Sequence, residues 1–465
     1  MIGGPLLLAG APLAAAVVTF LLRRFITLTA LIAALVPMTA AIWALQSPLG
    51  EPQDILGRTI VLNGGDRIGI AYLFVVSAAV FVGVWRSTPG WSYYPIALLI
   101  LGALAAALII RPRPQLNEIY PSFIYSALFI AIASALAVFP LQGGKPGVAS
   151  SVLRFITLMT LALPALLMAD WTLSQFTQSP DSREIAQASI TLVALGFALL
   201  LAVVPFHTWL PAVSSEAPPL STAFVVNVLL GAVWILLLDV LNENRLIAED
   251  ARLMELLRGA GLVMAALGAL LAWAQRDFGR LLGYGALADI GVSLFAVGIG
   301  SRAGLVAAFV VVIGRSISIG LMSMGMALAR ERHGGDAFTT LSGLAWRLPW
   351  TSLAIIAGGL SLAGFPPLAG FAGRWGIVQE AITLDSRAAA VVLASGVSVA
   401  IGVLRGLREM LHTSPAVDNP QPRERRSEAI LIAAGLAVCL FLGLFPGALA
   451  PFVREFVAAY SFVGR

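Results

Sequence analysis

The chain has 465 residues, of which 59% are hydrophobic and 11% are charged. Apolar runs recur from one end to the other, each close to the ~20 residues that a helix needs to cross a bilayer. This composition excludes a water-soluble enzyme and predicts a polytopic helical membrane protein. The net charge of +5 comes from arginines scattered through short loops. It therefore indicates topology and lipid headgroups, and it does not indicate a nucleic-acid partner.

Fourteen apolar runs predict an all-α membrane protein with about 14 transmembrane helices. In chain order the runs are 4–22, 26–46, 67–85, 95–111, 121–142, 148–169, 188–206, 219–239, 255–274, 281–299, 303–329, 349–371, 388–411 and 428–448. Because they use most of the chain, residues 1–465 are expected to form one transmembrane domain. The first run lacks a small-residue cleavage site followed by a hydrophilic domain, so we expect a retained span.

Nothing in the sequence predicts a cofactor or metal bound by this chain. The single cysteine, Cys439, lies inside the last apolar run and cannot form an internal disulfide or an iron–sulfur site. His207, His333 and His412 lie far apart in sequence, without a carboxylate or cysteine at ligand spacing. No glycine-rich loop has the pattern that cradles a phosphate.

Loop charges predict the orientation in the membrane. Counted from the first run, the odd-numbered loops carry positive charge at Arg23, Arg24, Arg86, Lys145, Arg276, Arg280, Arg330, Arg332, Arg423, Arg425 and Arg426. The even-numbered loops balance their arginines with acidic residues. By the positive-inside tendency the odd loops face the cytoplasm, which places both termini outside. We therefore expect an integral protein of a bacterial-type inner membrane.

Two stretches interrupt the apolar pattern, VPFHTWLPAVSSEAPPLSTAF at 204–224 and GFPPLAGFAGRW at 364–375. Each is rich in proline or glycine and is attached to a hydrophobic span, and about five spans separate them. A pair of interrupted helices in corresponding halves is typical of inverted repeats with an ion or substrate site between them. Two unrelated proline-containing loops at the membrane edge would produce the same pattern.

Three motifs, in this order and spacing, resemble the antiporter-like membrane subunits of respiratory complex I, related hydrogenases and Mrp cation/proton antiporters. PFHTWLP followed by EAPPLSTA is similar to the family's run that leads into a broken helix. QRDFGRLLGYGALADIG (275–291) is similar to its segment with a charged pair and small residues. GFPPLAGFAGRW is similar to its second broken helix.

The resemblance implies a specific architecture. We expect fourteen helices with two inverted five-helix repeats, at approximately 95–299 and 281–411, each with one discontinuous helix. A hydrated polar axis would lie at mid-membrane. The resemblance also implies that the chain works beside other membrane subunits of a multisubunit complex, in contact with lipid, and it leaves open a soluble redox arm.

The proton-handling residues that the resemblance leads us to expect are mostly missing. In this family protons are proposed to move along lysines, histidines and a glutamate near the membrane midplane. Gly231 stands where one lysine is expected, Gly279 replaces the lysine of a Lys-Arg pair, and the fifth run contains no glutamate. The chain has one lysine, Lys145, in the hydrophilic loop QGGKPG.

Six residues remain as candidates for an ion pathway, whereas no catalytic residue is predicted. They are His207, Glu216, Asp289, Arg315, Arg374 and Arg154. Arginine does not release its proton in a protein, so the three arginines can hold a fixed charge but cannot take part in a relay. A buried arginine is nevertheless functional by default, because burying its charge is costly.

Structural roles are open for four of these candidates. Arg315 could form a structural pair with Asp289, and Arg374 could extend towards lipid headgroups. Glu216 could cap the start of the broken helix or face a cytoplasmic loop. His207 could titrate near neutral pH or bond to loop backbone.

Three functions are therefore compatible with the sequence. The first is proton translocation by an antiporter-like subunit of a complex I-related oxidoreductase, with a pathway rebuilt around His207, Asp289 and Glu216. The second is a non-pumping subunit that fills space and couples its neighbours. The third is a membrane subunit that energises ion or inorganic-carbon uptake with a soluble partner. In each case the chain is expected to be a non-catalytic subunit, and redox chemistry would belong to partners.

Overall fold

The computed structural model describes residues 4–50, 53–55, 58–85, 90–111, 123–178, 182–412 and 424–463. In the first half of the chain the helices are α1 Gly4–Leu21, α2 Ile26–Gln46, α3 Gly64–Val84, α4 Tyr93–Ile109, α5 Ile124–Leu141, α6 Val148–Gln178, α7 Arg183–Leu200, α8 Trp209–Glu216, α9 Pro219–Phe224 and α10 Leu230–Glu243. A 3-10 turn at Phe206–Thr208 precedes α8, and a π-helical turn at Val225–Leu229 joins α9 to α10.

The second half continues with further helices. They are α11 Arg245–Ala248, α12 Ala251–Ala274, α13 Phe278–Ile299, α14 Arg302–His333, α15 Leu344–Arg347, α16 Pro349–Leu362, α17 Gly370–Leu384, α18 Ser386–Leu411, α19 Arg426–Leu444 and α20 Ala450–Ala458. A 3-10 turn at Pro446–Leu449 precedes α20.

The predicted helical membrane fold is confirmed. In the described part of the chain, 12 helical segments are long and apolar enough to cross a membrane, with α9 to α10 counted as one. Two shorter apolar helices, α4 and α16, fall on the remaining predicted runs. The all-α prediction needs one addition, because three short strands pair antiparallel in the order β1 Gln53–Ile55, β2 Arg58–Ile60 and β3 Ile110–Arg111.

Burial divides the helices into an inner and an outer set. The segment Pro219–Glu243 is buried throughout its apolar window, and α3, α13 and α14 are mostly buried. The helices α1, α2, α6, α7, α12 and α19 bury one face only. Their other face exposes large apolar residues such as Leu21, Trp171 and Ile430, which is the surface that a bilayer accommodates. A charge on an inner helix must therefore find its partner within the protein.

Prolines set the first interruption. A residue that precedes proline is disfavoured in the helical region. Ala217 (ψ 165°) and Pro218 (ψ 132°) each precede a proline and are extended. The helix therefore ends at Glu216 and restarts at Pro219, where a proline suits the first helical position. This break leaves the last carbonyls of α8 without partners in their own helix.

Glycine and proline set the second interruption, between α16 and α17. Gly364 has a φ of 78°, a left-handed conformation that favours glycine. Its N–H donates to the Ser361 carbonyl (2.9 Å), and the N–H of Phe365 donates to the Leu360 carbonyl (3.0 Å). These two bonds form a Schellman cap that ends α16. Pro366 and Pro367 follow in the connection, and α17 begins at Gly370. Both broken helices predicted from the sequence are therefore present.

Candidate functional site

Asp289 lies at the centre of the buried charge in the membrane-spanning part of the protein. Its position in the middle of α13 places the carboxylate between α14 and α17. The Arg374 guanidinium donates to Oδ1 at 3.2 Å, and an Arg315 Nη1 atom lies 3.7 Å from Oδ2. The side chains are 1–6% exposed. We call Arg315, Asp289 and Arg374 the charge triad.

The second broken helix brings Arg374 into this triad. Arg374 lies in the second turn of α17, and its side chain passes over Gly364, where an added Cβ would lie 2.6 Å from the arginine Cδ. Its Nη1 donates to Ser395 Oγ of α18 at 2.8 Å, and Nη2 also reaches the Leu362 carbonyl at 3.4 Å. Arg374 therefore joins the end of α16 to α13 and α18. The alternative in which Arg374 extends towards lipid headgroups is wrong, because the residue is 5% exposed.

Arg315 contributes differently from Arg374. Its 3.7 Å contact with Asp289 is longer than a hydrogen bond. Among the described protein atoms, its Nε and Nη1 have no hydrogen-bond acceptor. Arg315 therefore stabilises the carboxylate by charge alone. The pair of Arg315 and Asp289 that the sequence suggested is present. Its contact is weaker than the contact between Arg374 and the same carboxylate.

A neutral polar group lies beside Arg315 and extends to the first broken helix. Tyr72 of α3 hydrogen-bonds to Ser316 of α14. Asn227, in the π-helical turn, donates from Nδ2 to the Ser316 carbonyl at 3.2 Å. The charge triad and this group together connect α3, the π-helical turn, α13, α14, α17 and α18. Polar side chains from both broken helices therefore converge on α14.

The place of the missing lysine is filled by other side chains. An added Cβ at Gly231 would lie 3.3 Å from Leu73 Cδ2 and 3.5 Å from the Tyr72 ring. Contacts at this distance leave little space for a long side chain. The absence of a lysine at Gly231 thus coincides with a packed α3–α10 contact.

A second polar cluster surrounds the break after α8. Arg330, near the end of α14, forms ion-paired hydrogen bonds with Asp336 and donates to backbone carbonyls at the break. Asp277 caps α13 by accepting from the Arg280 N–H at 2.9 Å. Burial and the neighbouring Asp336 carboxylate raise the pKa of Asp277. This cluster holds α8 against the start of α13.

Three predicted candidates lie outside the charge triad. Glu216 is the last residue of α8, and Ser151 Oγ of α6 donates to its carboxylate. His207 lies in the 3-10 turn before α8, and burial lowers its pKa. Arg154 is exposed on the outer face of α6. Glu216 therefore belongs to the cluster at the break, whereas Arg154 shares no contact with the triad.

Sequence reasoning missed several polar residues that complete these sites. They are Tyr72, Asn227, Ser395, Arg330 and Asp336. Asn227 and Ser395 were detectable in principle as isolated polar residues within apolar runs. Asp336 follows a Gly-Gly pair in an ordinary-looking loop and carries no comparable signal. Its side chain is nevertheless wholly buried.

Comparison with known proteins gives concordant results. The family model described as NADH:quinone oxidoreductase/Mrp antiporter, TM, matches residues 149–402. The chain is 26% identical over 367 residues to NADH-quinone oxidoreductase subunit N 1 of Acidiphilium cryptum, covering 75% of this chain and 74% of the relative. It is 25% identical over 401 residues to hydrogenase-4 component B of Escherichia coli, covering 80% of this chain and 56% of the relative.

A solved structure shares the fold at low sequence identity. A chain of the Mrp complex from Dietzia sp. DQ12-45-1b superposes with a TM-score of 0.84 at 17% identity, over 98% of this chain and 97% of that chain. At this sequence identity the structural similarity shows a shared fold and nothing more. The shared fold agrees with the resemblance seen in the three sequence motifs.

Proposed function

We propose that this chain, which belongs to the NADH:quinone oxidoreductase/Mrp antiporter transmembrane family, is a fixed-charge subunit. It would lie in the membrane arm of a complex I-related or hydrogenase-related oxidoreductase. In this role the chain supplies helices and buried charge, and its neighbours carry the protons. The names of its relatives, a quinone oxidoreductase subunit and a hydrogenase component, support such an assembly. The sequence offers no flavin, nicotinamide or iron–sulfur site, so electron transfer would belong to partner subunits.

The charge triad is the observation that carries this proposal. A relay needs groups that gain and lose a proton at accessible cost, and neither arginine does so. Asp289 is the one acidic member, and it lies between two guanidinium groups. Its protonation would leave two buried positive charges without a counter-charge, which is costly in a low-dielectric interior. The triad is therefore suited to holding one net positive charge.

A fixed buried charge can still take part in energy coupling. Interactions between charges weaken less with distance in a low-dielectric interior than in water. A permanent positive charge in this subunit would shift the titration of carboxylates and lysines in an adjacent subunit. The packed contact at Gly231 supports the same role, because it occupies the place of a titratable lysine.

Proton stoichiometry measured in the assembled complex tests the proposal. The complex would be reconstituted in vesicles with Asp289→Asn, and the proton-to-electron ratio would be recorded together with the electron-transfer rate. We expect a lower ratio, because this substitution adds one positive charge to the triad and thereby shifts the titration of groups in the neighbouring subunits. Asp385→Asn is the matched control, since Asp385 is an exposed helix cap at the start of α18.

A second variant separates the net charge of the triad from the identity of Asp289. Asp289→Asn combined with Arg315→Gln keeps the net charge of the triad at its original value, and it should restore the ratio. A reduced ratio in the double variant, with Asp385→Asn unaffected, would overturn the fixed-charge role. That result would favour a pathway rebuilt around Asp289, His207 and Glu216.

Copurification distinguishes the remaining alternative. A tagged chain should copurify with quinone-reductase or hydrogenase subunits from native membranes. Recovery with a soluble partner of an uptake system, and without redox subunits, would contradict the proposed assembly and favour ion or inorganic-carbon uptake.

A further inference from the structure

The Arg330 side chain binds the backbone at the first break, away from the charge triad. Its guanidinium donates to the backbone oxygens of Ala217 (2.6 Å), Ser215 (2.8 Å) and Ser214 (3.2 Å). These oxygens belong to the last turn of α8 and the residue that follows it. A single side chain from α14 thus satisfies the carbonyl groups that the first break leaves without helical partners.

Charged groups also surround Arg330. Nε of Arg330 donates to Asp336 Oδ2 at 2.8 Å, and the Asp336 side chain is wholly buried. Lys145 forms an ion pair with the other oxygen of Asp336. The C-terminal end of a helix also carries partial negative charge, which favours a cation. The guanidinium is therefore enclosed by three carbonyl oxygens and one carboxylate.

The backbone oxygens of Ser214, Ser215 and Ala217, together with the Asp336 carboxylate, form what we call the α8 carbonyl site. We propose that Arg330 acts as a tethered cation in this site, and that the site binds a small free monovalent cation when the arginine side chain is removed. All the atoms that would contact the cation are oxygens. Hard cations prefer oxygen ligands, and a guanidinium group donates hydrogen bonds to them.

Packing around the break supports a site that persists without Arg330. The backbone N–H of Lys145 donates to the Glu216 carbonyl at 2.8 Å. At Gly144 an added Cβ would lie 2.1 Å from the same oxygen, so the 143–147 loop lies directly against the break. The Phe278 N–H donates to the Asp336 carbonyl at 3.0 Å, which fixes the loop that carries the carboxylate. These contacts do not involve the arginine.

Chemical rescue tests the inference in the full-length protein. Arg330→Ala should lower the apparent melting midpoint of the purified chain by several degrees. Guanidinium chloride, at concentrations far below those that denature, should restore most of this loss in a saturable manner. Equal concentrations of urea or tetramethylammonium chloride should not, because urea lacks the charge and tetramethylammonium cannot donate hydrogen bonds.

Matched variants separate a cation site from general salt effects. Arg280→Ala removes an exposed arginine, and it should neither lose stability nor respond to guanidinium. Arg332→Ala breaks the ion pair with Glu428 at the same end of α14. In the described part of the chain, Arg332 does not donate to a carbonyl oxygen. Guanidinium should therefore raise the melting midpoint of Arg332→Ala less than that of Arg330→Ala.

Three results would overturn the inference. They are an Arg330→Ala protein as stable as the wild type, a destabilised one without guanidinium rescue, and equal rescue of Arg332→Ala. If Arg330→Ala does not fold in ordinary buffer, it is expressed and purified with guanidinium chloride present, and the melting midpoint is followed as guanidinium is withdrawn. A protein that is not recovered folded even with guanidinium would equally overturn the inference. None of these measurements depends on proton transport, so failure of the fixed-charge role would leave the tethered cation intact.

Discussion

At the scale of single residues, the two triad arginines differ in how they hold the same carboxylate. Arg374 makes a direct hydrogen bond to Asp289 and is itself held by Ser395, whereas Arg315 contacts Asp289 at 3.7 Å. Removal of one partner from a buried ion pair usually destabilises more than the pair contributed, because it leaves a buried charge uncompensated. The hydrogen-bonded arginine should therefore be the more sensitive one.

Arg374→Met is expected to destabilise the protein by about 3–5 kcal/mol, the cost typical of breaking a buried pair. The apparent stability of the purified chain in detergent would measure this loss. Arg387→Met is the control, because Arg387 is exposed at the start of α18 and its loss should change stability by less than about 0.5 kcal/mol. Equal stability of the two variants would contradict the assigned role of Arg374.

His207 should make stability depend on pH. Burial lowers the pKa of His207 below its usual value of about 6.5. The folded state therefore disfavours the protonated ring, so stability is fully present above pH ~6.5 and decreases as the pH falls towards the folded-state pKa. Melting midpoints recorded across this range should decline less steeply for His207→Gln than for the wild type. Identical pH profiles would show that the ring is not responsible.

At the scale of elements, each broken helix is defined by local backbone restrictions and then held by contacts from elsewhere. Prolines end α8, and a Schellman cap at Gly364 ends α16. Arginines then hold both breaks: Arg330 of α14 bonds to the end of α8, and Arg374 of α17 reaches the last carbonyl of α16. Local sequence thus accounts for the breaks, while arginine side chains stabilise their geometry.

Gly370 tests how closely the second broken helix must pack. An added Cβ at this position would lie 1.8 Å from the Ser361 carbonyl oxygen, so Gly370→Ala must push α17 away from α16. We expect a loss of about 1–3 kcal/mol, as for other overpacked sites. Gly320→Ala is the control, since no atom lies within 4 Å of its added Cβ and helix propensity predicts a small gain. A Gly370→Ala protein as stable as Gly320→Ala would contradict this contact.

At the scale of the whole molecule, the described helices form a buried inner set surrounded by helices with one apolar outer face. This arrangement explains why charge is tolerated at Asp289, Arg315 and Arg374, which lie on inner helices or on the buried face of α17. Arg154 instead lies on the outer face of α6. The proposed electrostatic effect on neighbouring subunits would therefore come from the buried charges and not from this exposed arginine.

Orientation is the whole-molecule prediction that loop charges support. In a Cys439→Ser background, Leu49→Cys lies in the second loop and Arg24→Cys lies in the first. A membrane-impermeant maleimide should label Leu49→Cys in intact cells, and it should label Arg24→Cys only after permeabilisation, because positive loops stay in the cytoplasm. The reverse pattern would place both termini inside.

Much of the architecture could be predicted from the sequence. Span positions follow from the apolar length that a bilayer requires, and both breaks follow from proline and glycine, whose effects act on adjacent residues. The family follows from three ordered motifs. The short strands at 53–55, 58–60 and 110–111 were missed, because so few residues carry no clear alternation.

The contents of the site depended on the tertiary structure. Asp289 and Arg374 are 85 residues apart, and whether an arginine beside a helix break turns inward or towards headgroups depends on the rotation of its helix against its neighbours. Arg330 likewise meets α8 across more than 100 residues of chain. The sequence by itself determined a broken-helix membrane subunit with few titratable groups, because those properties are local. Only the tertiary structure decided which charges meet, because such contacts depend on how distant helices pack.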